Sequence, residues 1–129
     1  DVMAELGDAL HYNRQPDEAV KLIKKAMRLN PYYPDWYLWH LADAYFTLHR
    51  YEDTIGAVEQ MNNPAEGFRL LAASYAHLGQ LDDARHYAER VLGRQPNFTI
   101  SRWAEIQPDQ DPEALSHFVE GLRAAGLPN

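Results

Sequence analysis

The sequence predicts an all-α fold made of repeated helical hairpins, and three observations support this prediction. Apolar residues recur at i, i+3 and i+4 in segments separated by polar breaks, which is the periodicity of amphipathic helices. The same classes of residue return in register in three segments, 5–31, 40–61 and 70–96. The breaks hold residues that begin or end helices, such as Pro16 and Gly79. We therefore expect each segment to form two antiparallel helices.

Small residues recur where the two helices of each hairpin would cross. A small residue on both helices lets the backbones approach closely, while a larger Leu or Tyr beside the crossing fills the remaining space. The first helices carry the small residues Gly7, Ala42 and Ala72, and the second helices carry Ala19, Thr54 and Ala84. The larger residues follow the first set as Leu10, Tyr45 and Tyr75. This alternation of small and large residues predicts closely packed hairpins.

These positions resemble the tetratricopeptide repeat, a helix-turn-helix unit of about 34 residues that stacks into a right-handed α-solenoid. The third copy is the most similar, through Phe68, Leu71, Ala72, Tyr75, Gly79, Ala84 and Pro96. The first copy matches through Leu6, Gly7, Ala19, Ala26 and Pro31. The resemblance implies a single domain with repeat 1 at 1–34, a shortened repeat 2 at 35–64, repeat 3 at 65–98 and C-terminal capping helices at 99–129.

The second copy departs from this pattern. His49 stands where the repeat usually has Gly, Thr54 replaces the second small Ala, and Tyr45 and Tyr75 are only 30 residues apart. We therefore expect a shortened second helix in this repeat. At the junction, Asn63 is predicted to cap the next helix, with Glu66 reaching back as in a capping box.

The two ends of the chain differ in their patterns. Near the C-terminus an apolar stripe between Asp111 and Gly126 predicts a last helix that caps the array, formed by Leu115, Phe118, Val119 and Leu122. At the N-terminus the apolar pattern begins at Met3, with nothing before it to cover the first helix. We expect either further repeats upstream, in a longer polypeptide, or a homodimer formed through this uncapped N-terminal helix.

Composition excludes several classes of function. The formal charge of −7 and the pI near 5.2 argue against nucleic acid as a partner, because that affinity comes from Lys and Arg neutralising phosphates. No apolar run approaches the roughly 18 residues that a membrane-spanning helix needs. The absence of Cys excludes disulfides and thiolate metal sites, and together with the lack of a basic and apolar leader it favours a cytoplasmic setting.

The residues also favour a non-catalytic segment without a cofactor or metal. No phosphate-binding loop, nucleophile elbow or catalytic Cys is present. His40 and Asp43 share a helix face, and His77 and His86 could approach them across a hairpin, but such spacings are common on polar helix surfaces. Adjacent carboxylates such as Glu52 and Asp53 stand in a first helical turn, where the helix dipole explains them.

The aromatic segment 30–48 has seven of the chain's fifteen Phe, Trp and Tyr residues and divides between two helix faces. Leu38, Leu41, Ala42 and Tyr45 occupy the packing face of the repeat. The resemblance implies that the first helix of each repeat lines a concave groove, so that the candidate peptide-binding residues are Tyr12, Trp36, Trp39, Asp43, Phe46, Arg69 and His77, with Ala73 and Glu66 beside the last two. Trp is a frequent binding hot spot.

The groove positions also indicate what would bind. A known subclass of these repeats holds a peptide carboxylate with Lys, Asn and Arg, but here Asp8, Asp43 and Ala73 stand at such places and only Arg69 is basic. The carboxylate clamp is therefore not supported. A groove with aromatic and acidic residues favours an apolar or basic protein segment.

A second resemblance concerns the stretches "NPYYPDWYLWHLADAYF" at 30–46 and "FVEGLRAAGLP" at 118–128. Together they are similar to the C-terminal repeat region of bacterial proteins that carry a class III adenylate/guanylate cyclase domain upstream. This resemblance implies a protein-protein interaction module that regulates an attached enzyme. The alternative interpretation is a structural spacer or homodimerisation domain with no peptide ligand.

Overall fold

The predicted helical periodicity is realised throughout the computed structural model, which describes residues 16–107 and 112–129. In chain order the α-helices of this part are α1 (Pro16–Leu29), α2 (Asp35–Thr47), α3 (Tyr51–Glu59), α4 (Phe68–His77), α5 (Leu81–Arg94), α6 (Ile100–Glu105) and α7 (Pro112–Ala124), with a 3-10 turn at Pro64–Gly67. The predicted fold class, an all-α chain of helical hairpins as in an α-solenoid, is confirmed. Within the described ranges no helix is both long and apolar enough to cross a membrane.

The chain divides into two compact units, Asp1–Pro64 and Ala65–Asn129. This division falls at the boundary that the sequence predicts between repeat 2 and repeat 3. In the first unit α2 packs against both α1 and α3. In the second unit α4 packs against both α5 and α7. The central helix of each unit is therefore the first helix of a predicted repeat.

The core of the first unit contains the predicted packing residues. Leu38, Leu41, Ala42 and Tyr45 of α2 are all buried, together with Ala19, Ile23 and Ala26 of α1. On α3, Thr54 is fully buried, and its Oγ1 lies 3.3 Å from the Ala42 carbonyl oxygen and 3.1 Å from that of Arg50. The single hydroxyl proton can donate to either oxygen, so Thr54 replaces the expected small Ala without leaving a buried polar group unpaired.

Three helices end in the same left-handed turn, although only two of the turns contain Gly. The second residue after the helix has a positive φ at His49 (62°), Gly79 (80°) and Gly126 (101°). At His49, the N–H of His49 donates to the Phe46 carbonyl at 2.9 Å, and the N–H of Arg50 donates to the Tyr45 carbonyl at 2.8 Å. This pair of bonds is the Schellman motif, which normally uses Gly because a Cβ is unfavourable at positive φ. His49 thus adopts the turn of the Gly that it replaces.

The shortened repeat closes through Asp35, the first residue of α2. Its two carboxylate oxygens accept hydrogen bonds from the backbone N–H groups of Asn62 and Asn63, each at 2.8 Å. The α3 helix has 9 residues, whereas the corresponding α5 helix has 14. The carboxylate thus fixes the loop that follows this short helix through two charge-assisted hydrogen bonds.

The start of the third repeat differs from the predicted capping box. Residues Pro64–Gly67 form a 3-10 turn, α4 begins only at Phe68, and its N-cap Gly67 makes no side-chain capping bond. The Glu66 carboxylate instead lies 3.5 Å from Arg94 Nη2. Glu66 therefore pairs with Arg94 of α5, whereas the sequence pattern predicts a hydrogen bond from the Asn63 backbone N–H to Glu66.

The last helices close the second unit. Phe118 and Leu122 of α7 are buried, and the Trp103 ring of α6 lies 4.7 Å from the Phe118 ring between centroids. The C-terminal residues return to α6, since the Ile100 N–H donates to the Pro128 carbonyl at 2.8 Å and Ser101 Oγ donates to that of Asn129 at 3.1 Å. The predicted last helix is present from Pro112, while the predicted start at Asp111 lies outside the described residues.

The left-handed turns predict opposite effects of two substitutions on the free energy of unfolding. His49→Gly removes the unfavourable Cβ at positive φ and is expected to raise the free energy of unfolding by about 0.5 to 1 kcal/mol. Gly79→Ala places a Cβ in the same conformation and is expected to lower it by about 1 kcal/mol. Urea denaturation monitored by circular dichroism measures both.

Gly93→Ala is the matched control for this experiment. Gly93 lies within α5, and a Cβ there would meet no atom within 4 Å. Alanine is a better helix former than glycine by roughly 0.5 to 1 kcal/mol, so this variant should be stabilised. Destabilisation of Gly93→Ala and Gly79→Ala alike would contradict the role assigned to the left-handed turn.

Candidate functional site

An aromatic surface lies on the first half of α2. We use this name for Tyr33, Trp36, Trp39 and His40. The Trp36 and Trp39 rings both meet the His40 ring edge-on, with centroids 5.9 Å and 5.0 Å apart. Trp36 also meets the buried Tyr37 ring at 4.4 Å, and Tyr33 stacks on Tyr37 at 5.9 Å. These ring contacts join the four side chains into one surface in the first unit.

Access to this surface is greatest at Trp36. Its side chain is 43% exposed, while Trp39 and His40 are half-buried. A large aromatic side chain that is held by neighbours and still reaches solvent can bury further apolar area when a partner binds. The two Trp residues of the predicted binding set are therefore accessible in this unit.

The imidazole of His40 contributes an uncharged ring to the aromatic surface. Burial lowers the pKa of His40 below its usual value, because the charged imidazolium is less well solvated there. The ring is consequently neutral at physiological pH. A neutral ring between two Trp rings adds no positive charge that would repel a basic partner.

Two other residues of the predicted binding face differ from the expectation. Asp43 is 8% exposed and Phe46 is 2% exposed, and the Phe46 ring contacts the Tyr51 ring at 5.7 Å. All residues from Leu41 to Phe46 are buried, so this stretch of α2 has no solvent face. The spacing i, i+3, i+7 and i+10 correctly groups residues on one side of a helix, but it does not show where that side becomes covered.

The remaining predicted residues belong to other parts of the chain. Tyr12 lies outside the described residues. In the second unit, His77 stacks on His117 of α7 with ring centroids 4.0 Å apart, and its Nε2 lies 2.9 Å from the His117 carbonyl oxygen. His77 is thus engaged by the last helix of its own chain.

The same helix also covers Ala73, another position that the resemblance places in a groove. A Cβ built on Gly121 of α7 would lie 2.8 Å from the Ala73 Cβ and 3.0 Å from the His77 Cδ2. Because only Gly leaves room for this approach, α7 packs directly on the backbone of α4. The part of α4 that holds Ala73 and His77 is therefore occupied internally.

Arg69 lies near the start of α4, apart from that contact. Burial lowers the pKa of its guanidinium, and the negative charge of Glu66 partly offsets this effect. Nothing in the sequence pattern identifies Arg94 and His117 as the partners of Glu66 and His77. Arg94 resembles an ordinary basic residue in a last helical turn, and no local signal marks His117, because each contact joins residues that are far apart in sequence.

No group of three potential ligands among His, Asp and Glu gathers in the described part of the chain. His40 and Asp43 lie in the first unit, and His77 and His86 lie in the second.

Comparison with known proteins supports the resemblance for one part of the chain. Residues 1–33 match the family model described as tetratricopeptide repeat. The resemblance is thus confirmed for the N-terminal region. Repeats of this class imply a protein-protein interaction module, and they are generally non-catalytic.

A partial relative points to a more particular context. Over 44 residues the chain is 43% identical to a protein of Rhizobium meliloti (strain 1021) with the name "Putative adenylate cyclase 3". The match covers 34% of this chain and 8% of that protein, so it concerns a small part of the relative. It agrees with the cyclase-associated resemblance seen in the sequence.

The lowered pKa of His40 predicts a pH dependence of stability. The folded state binds this proton more weakly than the unfolded chain, so the free energy of unfolding falls as the pH drops through the ordinary His pKa near about 6.5. The loss levels off below the folded pKa. Urea denaturation at several pH values should show a smaller decrease in the free energy of unfolding for His40→Gln than for the unchanged protein. Carboxylate titrations are common to both proteins, so the difference between them reports His40. Superimposable pH profiles would contradict this assignment.

The Gly121 contact predicts a specific packing defect. Gly121→Ala is expected to lower the free energy of unfolding by about 1 to 3 kcal/mol, because its Cβ overlaps Ala73 and His77. Combining it with Ala73→Gly should recover part of the loss in a double-mutant cycle measured by urea denaturation. Additive effects would show that the two residues are not in contact.

Proposed function

We propose that this chain is a protein-binding module that recruits a protein segment to the aromatic surface of α2 and thereby regulates a larger cyclase-type signalling protein. The observation that carries the proposal is the exposure of Trp36 on the first helix of a predicted repeat. In this class of repeat that helix bears the ligand-binding residues. The chain itself contributes binding and positioning, not catalysis.

The arrangement of the rings supports binding of a protein segment. Tyr33, Trp36 and Trp39 rest on Tyr37 or His40, so binding would cost little side-chain entropy. The carboxylate of Asp35 holds the start of α2 against the Asn62–Asn63 backbone, which fixes the helix under these rings. A preorganised aromatic patch of this kind suits an apolar anchor from a partner.

The charge of the surface favours an apolar segment with basic residues. The whole chain has a formal charge of −7, and His40 is neutral at physiological pH. Trp faces attract Lys and Arg side chains through cation–π interactions worth roughly 0.5 to 2 kcal/mol. An acidic segment would gain none of these cation–π interactions at the aromatic surface.

The cyclase context rests on the partial relative. The matched part of that protein is 8% of its length, so a catalytic domain would have to lie elsewhere in a protein of that type. A repeat segment attached to such an enzyme can bind a partner or hold catalytic domains together. In this proposal the aromatic surface makes the contact that regulates the enzyme.

A second candidate function, a structural spacer or homodimerisation domain, is favoured by a different observation. Asp43 and Phe46 are buried, and His77 packs under α7, so much of the predicted groove offers no surface to a peptide. A spacer needs only stable packing between helices. The homodimer contact through the N-terminal helix involves residues outside the described range and stays a prediction.

Peptide binding tests the proposal directly. A short fluorescent peptide of alternating Leu and Lys is titrated with the chain and followed by anisotropy, with a Leu and Gln peptide as its uncharged counterpart. We expect the basic peptide to bind more tightly. The variant Trp36→Ala/Trp39→Ala should weaken its binding at least about tenfold, because hot-spot aromatics dominate such contacts.

Leu81→Ala is the matched control, because Leu81 is an exposed apolar side chain of the second unit, 51% exposed. The Leu81→Ala variant should bind the basic peptide with the same affinity as the unchanged protein. Equal affinities for all three proteins would remove the aromatic surface from the function. In that case sedimentation velocity distinguishes a dimer from a monomeric spacer.

A further inference from the structure

A small cavity in the second unit collects positive charge in a chain that is acidic as a whole. We call it the arginine pocket; it is lined by Arg69, Arg94, Gln95 and Glu66, with Phe68 and Val91 as its apolar floor. The cavity volume is about 40 Å³. One water needs roughly 10 to 15 Å³ by this measure, so the pocket has room for a group about the size of a carboxylate.

Three elements bring these side chains together. Arg69 comes from the first turn of α4, Arg94 and Gln95 come from the end of α5, and Glu66 comes from the 3-10 turn before α4. Arg94 Nη2 lies 3.5 Å from Glu66 Oε1, with both side chains about half exposed. The Glu66 charge also acts on Arg69, so one internal carboxylate faces two guanidinium groups and the pocket keeps a net positive charge.

The partial burial of Arg69 explains why its positive charge would favour a bound carboxylate. Its guanidinium is half-buried, and burial lowers its pKa because the cation has lost part of its hydration. A carboxylate that enters the pocket would restore favourable interactions to this cation. Guanidinium groups bind carboxylates through paired, charge-assisted hydrogen bonds.

A third arginine extends the positive surface beyond the cavity. Arg90 stands one helical turn before Arg94, and its Cζ lies 4.8 Å from the centroid of the Phe68 ring, which forms the floor. Successive acidic residues of one segment could thus meet Arg94 and Arg90 in turn. The charge pattern fits a run of carboxylates better than a single one.

We propose that the arginine pocket binds an acidic segment of a partner protein, with one Asp or Glu carboxylate of that segment between Arg69 and Arg94. Glu66 acts as an internal stand-in that the incoming carboxylate displaces. The site lies within one hairpin and uses Arg94 of its second helix, so it differs from a clamp formed by the first helices of successive repeats. It is also independent of the aromatic surface, which belongs to the first unit.

A labelled hexaglutamate peptide is the probe for this site, with hexaglutamine as the uncharged control, and binding is followed by fluorescence anisotropy. We expect hexaglutamate alone to bind. Arg69→Gln and Arg94→Gln should each weaken its binding at least about tenfold, since each removes a charge-assisted contact. Glu66→Gln should tighten binding, because it removes the competing internal carboxylate. Circular dichroism verifies that each variant is folded.

Matched variants separate the pocket from general electrostatics. Arg85 and Glu89 are exposed residues of α5 outside the pocket. Arg85→Gln and Glu89→Gln make the same charge changes and should leave the affinity unchanged. If Arg85→Gln weakens binding as much as Arg94→Gln, or if Glu66→Gln does not tighten it, the proposal is wrong.

Two further arms identify the ligand and separate the two proposals. Inorganic phosphate that displaces hexaglutamate more effectively than acetate would overturn the assignment to carboxylates. Trp36→Ala/Trp39→Ala should bind hexaglutamate with unchanged affinity. A negative result for peptide binding at the aromatic surface therefore does not affect the test of the arginine pocket. Loss of hexaglutamate binding in that variant would contradict the proposal that the second unit has a separate binding site.

Discussion

The close approach of antiparallel helices at small residues is the constraint on which the described structure depends. Ala42 and Thr54 are fully buried on the paired helices α2 and α3, as are Ala72 and Ala84 on α4 and α5. A larger side chain at these positions would separate the backbones and open the core beside them. The same principle extends to the last helix, where Gly121 packs on Ala73. Each central helix is thus held from two sides.

Packing from two sides decides which surfaces remain for recognition. On α2 the residues from Leu41 to Phe46 are buried, while the first half keeps Trp36 in contact with solvent. On α4 the middle is covered by α7, and the free end carries Arg69 beside Glu66 and Arg94. The two units therefore present different chemistry from equivalent helices, an aromatic surface in one and a basic pocket in the other. In the two proposals above, the first surface binds a basic apolar segment and the second binds an acidic one.

The architecture was largely predictable from the sequence because it depends on local patterns. The spacing of apolar residues marked the helices, and the recurrence of small residues marked Ala42, Thr54, Ala72 and Ala84 as crossing points. The separation of Leu38, Leu41 and Tyr45 from Trp36 and Trp39 followed from helix periodicity alone. The sequence marked His49 only as a departure from the repeat pattern, and the structure shows that it still adopts the left-handed turn.

The accessible sites were decided only by tertiary structure. Helix periodicity places Asp43 and Phe46 on the face of Trp36, but neighbouring packing buries the first pair and leaves Trp36 exposed. The His77 contact with His117 and the Glu66 contact with Arg94 join residues 40 and 28 positions apart. No local signal encodes such pairs, because burial and charge pairing depend on which helices meet. The sequence by itself determined the hairpins and their faces, while the meeting of the helices determined which faces stayed open.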